Sequence, residues 1–192
     1  MRRSLVLAGL LLLTAGAALA QDDYPRIETA PAFMYVRIIP GHGSKDFNCY
    51  GGGGTLAYNL NSWLGLAADL GGCKVTGLPS GLSLNAFTYV FGPRITYRNS
   101  SKFQPFFEIN LGGTRLSGTF NSNNNGTFSS STNAFAMTAG GGFDFKLTKK
   151  IAFRVIQAEY FYTRFGNNIF NNSSQNNFRL KSGIVIGWGG GS

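Results

Sequence analysis

An all-β fold, an eight-stranded antiparallel up-and-down transmembrane β-barrel, is predicted by three observations. The first twenty residues carry an export signal. Segments of alternating hydrophobicity then recur along the chain with no helical period. The connections between them alternate between short turns and long loops. The export signal has Arg2 and Arg3, an apolar run from Leu5 to Leu13, and small residues ending Ala18-Leu19-Ala20. That run is shorter than the roughly 20 residues a membrane helix needs, so residues 1–20 are expected to be a cleaved signal peptide. No second long apolar run follows, which excludes a helical membrane protein. The expected organisation continues with a short periplasmic segment at 21–30, the barrel at 31–188 and a tail at 189–192.

The first strand is expected at Pro31–Ile39 and the second at Cys49–Asn59, where Gly51–Gly54 permit tight curvature and close backbone approach. Neither that tract nor Gly140–Gly142 is followed by the Lys-Ser/Thr of a phosphate loop. In the third, Trp63–Cys73, Leu64, Leu66, Ala68 and Leu70 share a face opposite Gly65, Ala67, Asp69 and Gly71. The fourth, Leu84–Arg98, sets Phe87, Tyr89, Phe91, Ile95 and Tyr97 against Thr88, Arg94, Thr96 and Arg98. The fifth, Phe103–Ser117, sets Phe107, Ile109 and Leu111 against Gln104, Glu108 and Asn110. The sixth, Asn133–Leu147, sets Phe135, Met137, Phe143 and Phe145 against Thr138, Asp144 and Lys146. In the seventh, Ile151–Phe165, the apolar parity switches near Val155-Ile156. A one-residue bulge there would keep Arg154, Gln157 and Glu159 all inside; the alternative is that one polar residue tolerates the lipid rim. The eighth, Asn177–Trp188, sets Phe178, Leu180, Ile184, Ile186 and Trp188 against Arg179, Lys181 and Gly183.

One face is therefore large and apolar, the other small, polar or charged. Volume decides which points inward. Eight strands enclose an interior just wide enough for side chains. So many Phe, Tyr and Leu residues would overfill it, whereas Gly, Ala, Thr and a few ion pairs fit. The apolar face is expected to meet lipid. The turns at residues 60–62, 99–102 and 148–150 are short. The loops Pro40–Asn48, Lys74–Ser83, Gly118–Thr132 and Gly166–Asn176 are long, and two are Asn/Ser-rich tracts expected to be solvated.

On these features the chain resembles small outer-membrane barrels of the OmpA/OmpX transmembrane type. The most specific piece is the last strand. The family's C-terminal assembly signal is filled here by Lys181, Gly183, Ile186 and Trp188, with Gly189-Gly190-Gly191-Ser192 following where many relatives end on the aromatic. The resemblance implies an outer-membrane location, contact with outer-membrane lipids, and recognition of the last strand by the barrel-assembly machinery. It also implies a structural or surface-interaction role, with an unspecified extracellular ligand at the long loops, or a minor pore. Porin-like passive transport of small solutes and lipid modification are the alternatives.

Two constellations carry the chemistry. Cys49 and Cys73 lie symmetrically about the turn at 60–62 with inward parity, and export favours a disulfide. A hairpin closed at that turn would set them opposite each other near the outer rim. Asp69, Arg94, Glu108, Asp144, Lys146, Arg154, Glu159, Arg179 and Lys181 all have inward parity. They form either a selectivity-determining channel or a packed ion-pair network that plugs the lumen, the latter favoured by the narrow interior. His42, the sole histidine, with Ser44 and Asp46, is the one candidate catalytic group, and a Gly-rich loop is a poor frame for it. No enzyme activity, cofactor or metal site is expected. The net charge of +9 comes from singly scattered basic residues rather than a dense patch, so nucleic acid is not an expected partner.

Overall fold

The computed structural model describes residues 24–40, 45–122, 126–166 and 174–189. They form β1 (Ile27–Ile38), β2 (Phe47–Asn59), β3 (Leu64–Thr76), β4 (Leu82–Thr96), β5 (Phe103–Ser122), β6 (Gly126–Lys146), β7 (Ile151–Phe165) and β8 (Ser174–Trp188). Each strand pairs antiparallel with its sequence neighbours, and β1 also pairs with β8, which closes the barrel. Closure leaves no exposed edge, the condition for a sheet that crosses lipid.

The short turns are held by side chains that accept from the backbone ahead of them. Asn61 Oδ1 accepts from the amides of Trp63 (2.9 Å) and Leu64 (2.7 Å), and Thr148 Oγ1 accepts from that of Ile151 (3.0 Å). These turns lie at one end, with the start of β1 and the end of β8. The long connections lie at the other end, which is the extracellular one in this architecture.

Strand boundaries depart from expectation chiefly at the extracellular end. The loop expected at Gly118–Thr132 is largely a continuing hairpin, in which Phe120 pairs with Phe128 and Ser122 with Gly126. A polar Thr/Ser-rich tract lacks the apolar alternation that marks a strand, yet it extends an existing ladder without burying a face. The connection expected at Lys74–Ser83 shrinks to residues 77–81, bounded by Gly77 (φ 81°) and Gly81 (φ 85°) in the left-handed region. At the other end β1 starts at Ile27, so residues 27–30 belong to the barrel rather than to an N-terminal segment. Pro31 lies within β1, not at its start. The closing seam tolerates it, because the β1–β8 pairing runs from Thr29–Ile186 to Ala32–Gly183 without a pair at Pro31.

The bulge falls where the parity switch puts it. Phe143 pairs with Ile156 and Asp144 with Arg154, so Val155 is skipped. Toward β8, Arg154 pairs with Gly183 and Gln157 with Lys181. Val155 and Ile156 both face outward while Arg154 and Gln157 both face the lumen.

The glycine tract of β2 has two different sides. A Cβ on the inward Gly51 would lie 2.0 Å from the Gly72 carbonyl oxygen, and one on Gly53 would lie 2.3 Å from that of Leu70. On the outward Gly52 and Gly54 the closest approach is 3.5 Å. The inward pair lets β2 and β3 approach through a sharply curved wall. At the outward pair a side chain would meet only ordinary van der Waals contact.

The large residues point out. Leu66, Phe91, Ile109, Phe143 and Ile184 are all exposed, as their parity predicts, with Phe91 at 70%. Trp63, Tyr97, Leu147 and Trp188 ring the short-turn end of this apolar face, the arrangement of an interfacial girdle.

Candidate functional site in the barrel lumen

The lumen is filled in three layers. The layer nearest the short turns joins Glu28, Arg94, Arg98, Glu108, Asp144 and Arg154. Asp144 receives both guanidinium groups, Arg94 Nη2 at 3.0 Å and Arg154 Nε at 2.8 Å. Glu28 pairs with Arg98 Nη2 at 2.6 Å and Arg94 Nη1 at 3.5 Å. Arg154 donates to Gln157 Oε1 (2.9 Å), and Gln157 Nε2 donates to Glu108 Oε1 (2.6 Å), which also accepts from Asn110 (3.2 Å). The Phe106 ring lies between the cations of Arg94 and Arg154, at 4.2 and 4.3 Å from its centroid. A ring face beside a desolvated guanidinium is worth about 2 kcal/mol.

The middle layer is smaller. Arg179 grips Glu159 bidentately, with Nε–Oε2 at 2.7 Å and Nη2–Oε1 at 3.0 Å, and its Nη1 lies 3.0 Å from Asp69 Oδ1. Lys181 pairs with Asp69, which also accepts from Thr55 Oγ1 at 2.8 Å, and lies 3.6 Å from Glu159. Arg94, Arg154, Arg179, Glu108, Glu159 and Asp69 are fully buried.

Signs balance within each layer. Three carboxylates (Glu28, Glu108, Asp144) share the first with three guanidinium groups (Arg94, Arg98, Arg154). Asp69 and Glu159 share the second with Arg179 and Lys181. A chain with a net charge of +9 thus holds a neutral lumen. Buried charges persist only when paired and hydrogen-bonded: every one of these but Glu108, which the amides of Gln157 and Asn110 hold, is in an ion pair, and the network spans six strands and the first residues of β1.

Eight of the nine charged residues singled out in the sequence lie in these two layers. Lys146 does not join them: it sits half-buried at the short-turn mouth and makes none of these ion pairs. Three contributors were missed. Glu28 lies in the stretch expected to be an N-terminal segment. Arg98 has inward parity but lies at the strand end. Phe106 shares the parity of Gln104 and Glu108, which places its ring inside although its residue type points to lipid.

The third layer, toward the long connections, departs from the expected polar interior. Met34, Val36, Cys49, Cys73, Val75, Val90, Ala136 and Phe161 form a buried apolar cluster. The structure places Cys49 and Cys73 here in a disulfide, with Cα atoms 5.5 Å apart. They are not directly opposite, as their symmetry about the turn suggested. The hairpin closes at Leu64 rather than Trp63, Cys49 pairs with Val75 and Cys73 with Gly51, and the bond runs diagonally. Closing a loop of this length is worth about 3 kcal/mol.

The last-strand residues occupy the closing seam. A Cβ on Gly183 would lie 2.1 Å from the Pro31 carbonyl oxygen. Ile186 pairs with Thr29, and Trp188 pairs with Ile27 and donates its Nε1–H to Thr29 Oγ1 at 3.2 Å. His42 and Ser44 lie outside the described residues. Asp46, their nearest carboxylate in sequence, pairs with Arg37 at 3.0 Å.

Comparison with known proteins places this geometry. Residues 5–184 match a family model described as an outer membrane protein beta-barrel domain. The fold is that of Ail, the attachment invasion locus protein of Yersinia pestis, at 17% identity and a TM-score of 0.60, covering 85% of this chain and 99% of Ail. Neisserial surface protein A is similar at 13% identity and a TM-score of 0.63, covering 84% of this chain and 97% of that one. Ail is also known in complex with the heparin analogue sucrose octasulfate, a structure that matches at 16% identity and a TM-score of 0.60, covering 84% of this chain and 99% of that one. No curated protein sequence matches the chain.

Proposed function

The chain belongs to the family of outer membrane protein β-barrel domains, and from that premise we propose that, in the outer membrane where such chains reside, it acts as a closed surface-interaction barrel rather than as a pore or an enzyme. The observation that supports this reading most directly is the charge-balanced network of buried side chains across the lumen. A conducting eight-stranded barrel needs a continuous aqueous path. Arg94, Arg154 and Arg179, each at most 1% exposed, occupy the space that path would take. Refolded protein in a planar bilayer is expected to give no steady single-channel conductance. Reproducible unit steps would overturn the reading and favour passive solute transport.

The extracellular end supports the surface role. Arg37, Lys74, Arg115 and Arg164 face outward near the long connections, with Lys45 close by, and Asp46 is the one described carboxylate there. A basic rim attracts polyanions by a field that salt screens over about 8–10 Å. The heparin-analogue complex of Ail fits the same chemistry. Immobilised heparin is expected to retain the refolded protein at low salt and release it as salt rises. A variant carrying Lys74→Glu and Arg115→Glu should lose retention while remaining folded. Retention unchanged by both substitutions would remove the rim from the account. The last strand, with Lys181, Gly183, Ile186 and Trp188, is read as the segment the barrel-assembly machinery recognises, because it carries one wall of the seam that closes the barrel.

A further inference from the structure

The apolar third layer does more than fill space. Above the ion pairs the lumen opens into a cup of about 380 Å³, lined by aliphatic and aromatic side chains that include Met34, Val36, Val75, Leu84, Leu116 and Phe161. Its volume lies in the range of small-ligand pockets, about 300–1,000 Å³. The floor is closed. Phe161 lies against Arg179, whose guanidinium carbon is 5.6 Å from the ring centroid, and Thr88 and Thr114 hydrogen-bond each other at 3.1 Å. Below them the neutral network bars passage. Among the described residues the cup is therefore a dead end that faces the extracellular side.

We propose that this cup is a binding site for a single-chain amphiphile, with its aliphatic tail in the cup and its polar end at the extracellular mouth beside Gln175. Water gains little there, because a water molecule needs two to four polar partners and an apolar cavity supplies few. The cup is lined along the strands: Met34 to Pro40 on β1 and just beyond it, and Leu84 to Thr88 on β4. At about 3.3 Å of rise per strand residue, that shape suits an extended chain better than a compact ring system. The walls are preformed: the Cys49–Cys73 disulfide ties β2 to β3 beside the cup. At the mouth the Asn177 amide is already engaged, accepting from the Ile39 amide (2.9 Å) and donating to Thr163 Oγ1 (3.3 Å). Gln175, buried next to it, is the polar side chain placed to meet a headgroup.

The two methionines of the barrel make the test internal. Met34 is buried in the lumen, and Met137 lies on the outward-facing parity of β6. Methyl-labelled protein in nanodiscs of chain-deuterated phosphatidylcholine is titrated with protonated dodecanoate. Contacts between the acyl protons and the Met34 methyl are expected in the nuclear Overhauser spectrum, and should saturate and vanish under excess deuterated dodecanoate. Contacts to Met137 should grow in proportion to dodecanoate in the bilayer and serve as the control. Contacts at Met137 with none at Met34 would overturn the proposal. Filling the cup by Ala86→Phe, or by Val75→Phe if the first variant fails to refold, should abolish the Met34 contacts and leave those of Met137 unchanged. Met34 contacts that persist in a folded, filled variant would equally overturn it.

Discussion

Replacing Asp69 by Asn is expected to destabilise the folded barrel by about 3–5 kcal/mol, the cost of leaving a buried charge without its partner. Asp69 answers Lys181 and one side of Arg179, and both cations are buried with no water-facing alternative. Glu159 cannot compensate alone, because Arg179 already holds both of its oxygens. The exposed pair Arg37–Asp46 supplies the reference. Its side chains keep 44% and 35% of their surface, and such pairs contribute about 0–1 kcal/mol. Asp46→Asn should therefore barely move the urea midpoint of the refolded protein in lipid vesicles, while Asp69→Asn moves it far. Adding Lys181→Met to Asp69→Asn should recover part of the loss, since the orphaned ammonium is then gone, and the double-mutant cycle should show strong coupling. Glu108→Gln belongs between the two extremes. Glu108 accepts from the amides of Gln157 and Asn110 and, among the described residues, forms no ion pair, so its substitution exchanges a charged acceptor for a neutral one. If Asp69→Asn costs no more than Asp46→Asn, the ion pairs are not what closes the lumen.

The sequence carried the barrel's inside and outside wherever the two faces differ in chemistry. Period-2 contrast is strong on β3 to β6, where Phe and Leu alternate with Asp, Arg, Glu and Thr, and the assigned faces hold there residue by residue. The same contrast located the bulge at Val155-Ile156, because an extra residue is the one way to keep Arg154 and Gln157 on a common side. It fails where both faces are apolar. Around Met34, Val36 and Val75 the lumen is as greasy as the lipid side, so alternation carries no information and the cup is invisible. It also fails where ladder pairing alone extends a strand, as in the Ser/Thr-rich top of β5 and β6. Register is a third limit. Symmetry about the turn at 60–62 sets Cys49 against Cys73, but the register is displaced by two residues, so that Cys49 meets Val75, and a shift of this kind turns an opposed pair into a diagonal one. Partners within the charge network were legible only as a set. Parity gave membership, whereas the division into two neutral layers depends on stagger between strands, which a single sequence does not encode locally.

Arginine introduced on the outer face should destabilise according to depth. Along β4 and the residue just beyond it, the outward residues run from Tyr97 beside the short-turn end to Phe91 and on past Phe87. Phe91 pairs with Ala68 and Leu111, near the middle of the apolar band between Trp63 and Lys74 on β3. Arginine at a bilayer midplane costs about 2–4 kcal/mol, falling to about 0–1 kcal/mol at the interface. Relative to alanine at the same site, Phe91→Arg should therefore cost most and Tyr97→Arg least. Leu66→Arg lies between, because Leu66 is the third residue of β3 and sits below the middle. The order matters more than any single value, since a water-soluble barrel with a greasy exterior would show no dependence on depth. A positional check uses single cysteines at Phe91 and Glu108 in a background lacking Cys49 and Cys73. Brominated lipid should quench a fluorophore at 91 and spare one at 108, where the side chain is fully enclosed. Quenching at 108 with none at 91 would mean that the faces are inverted, and the volume argument that sends Phe and Leu outward would fail with them.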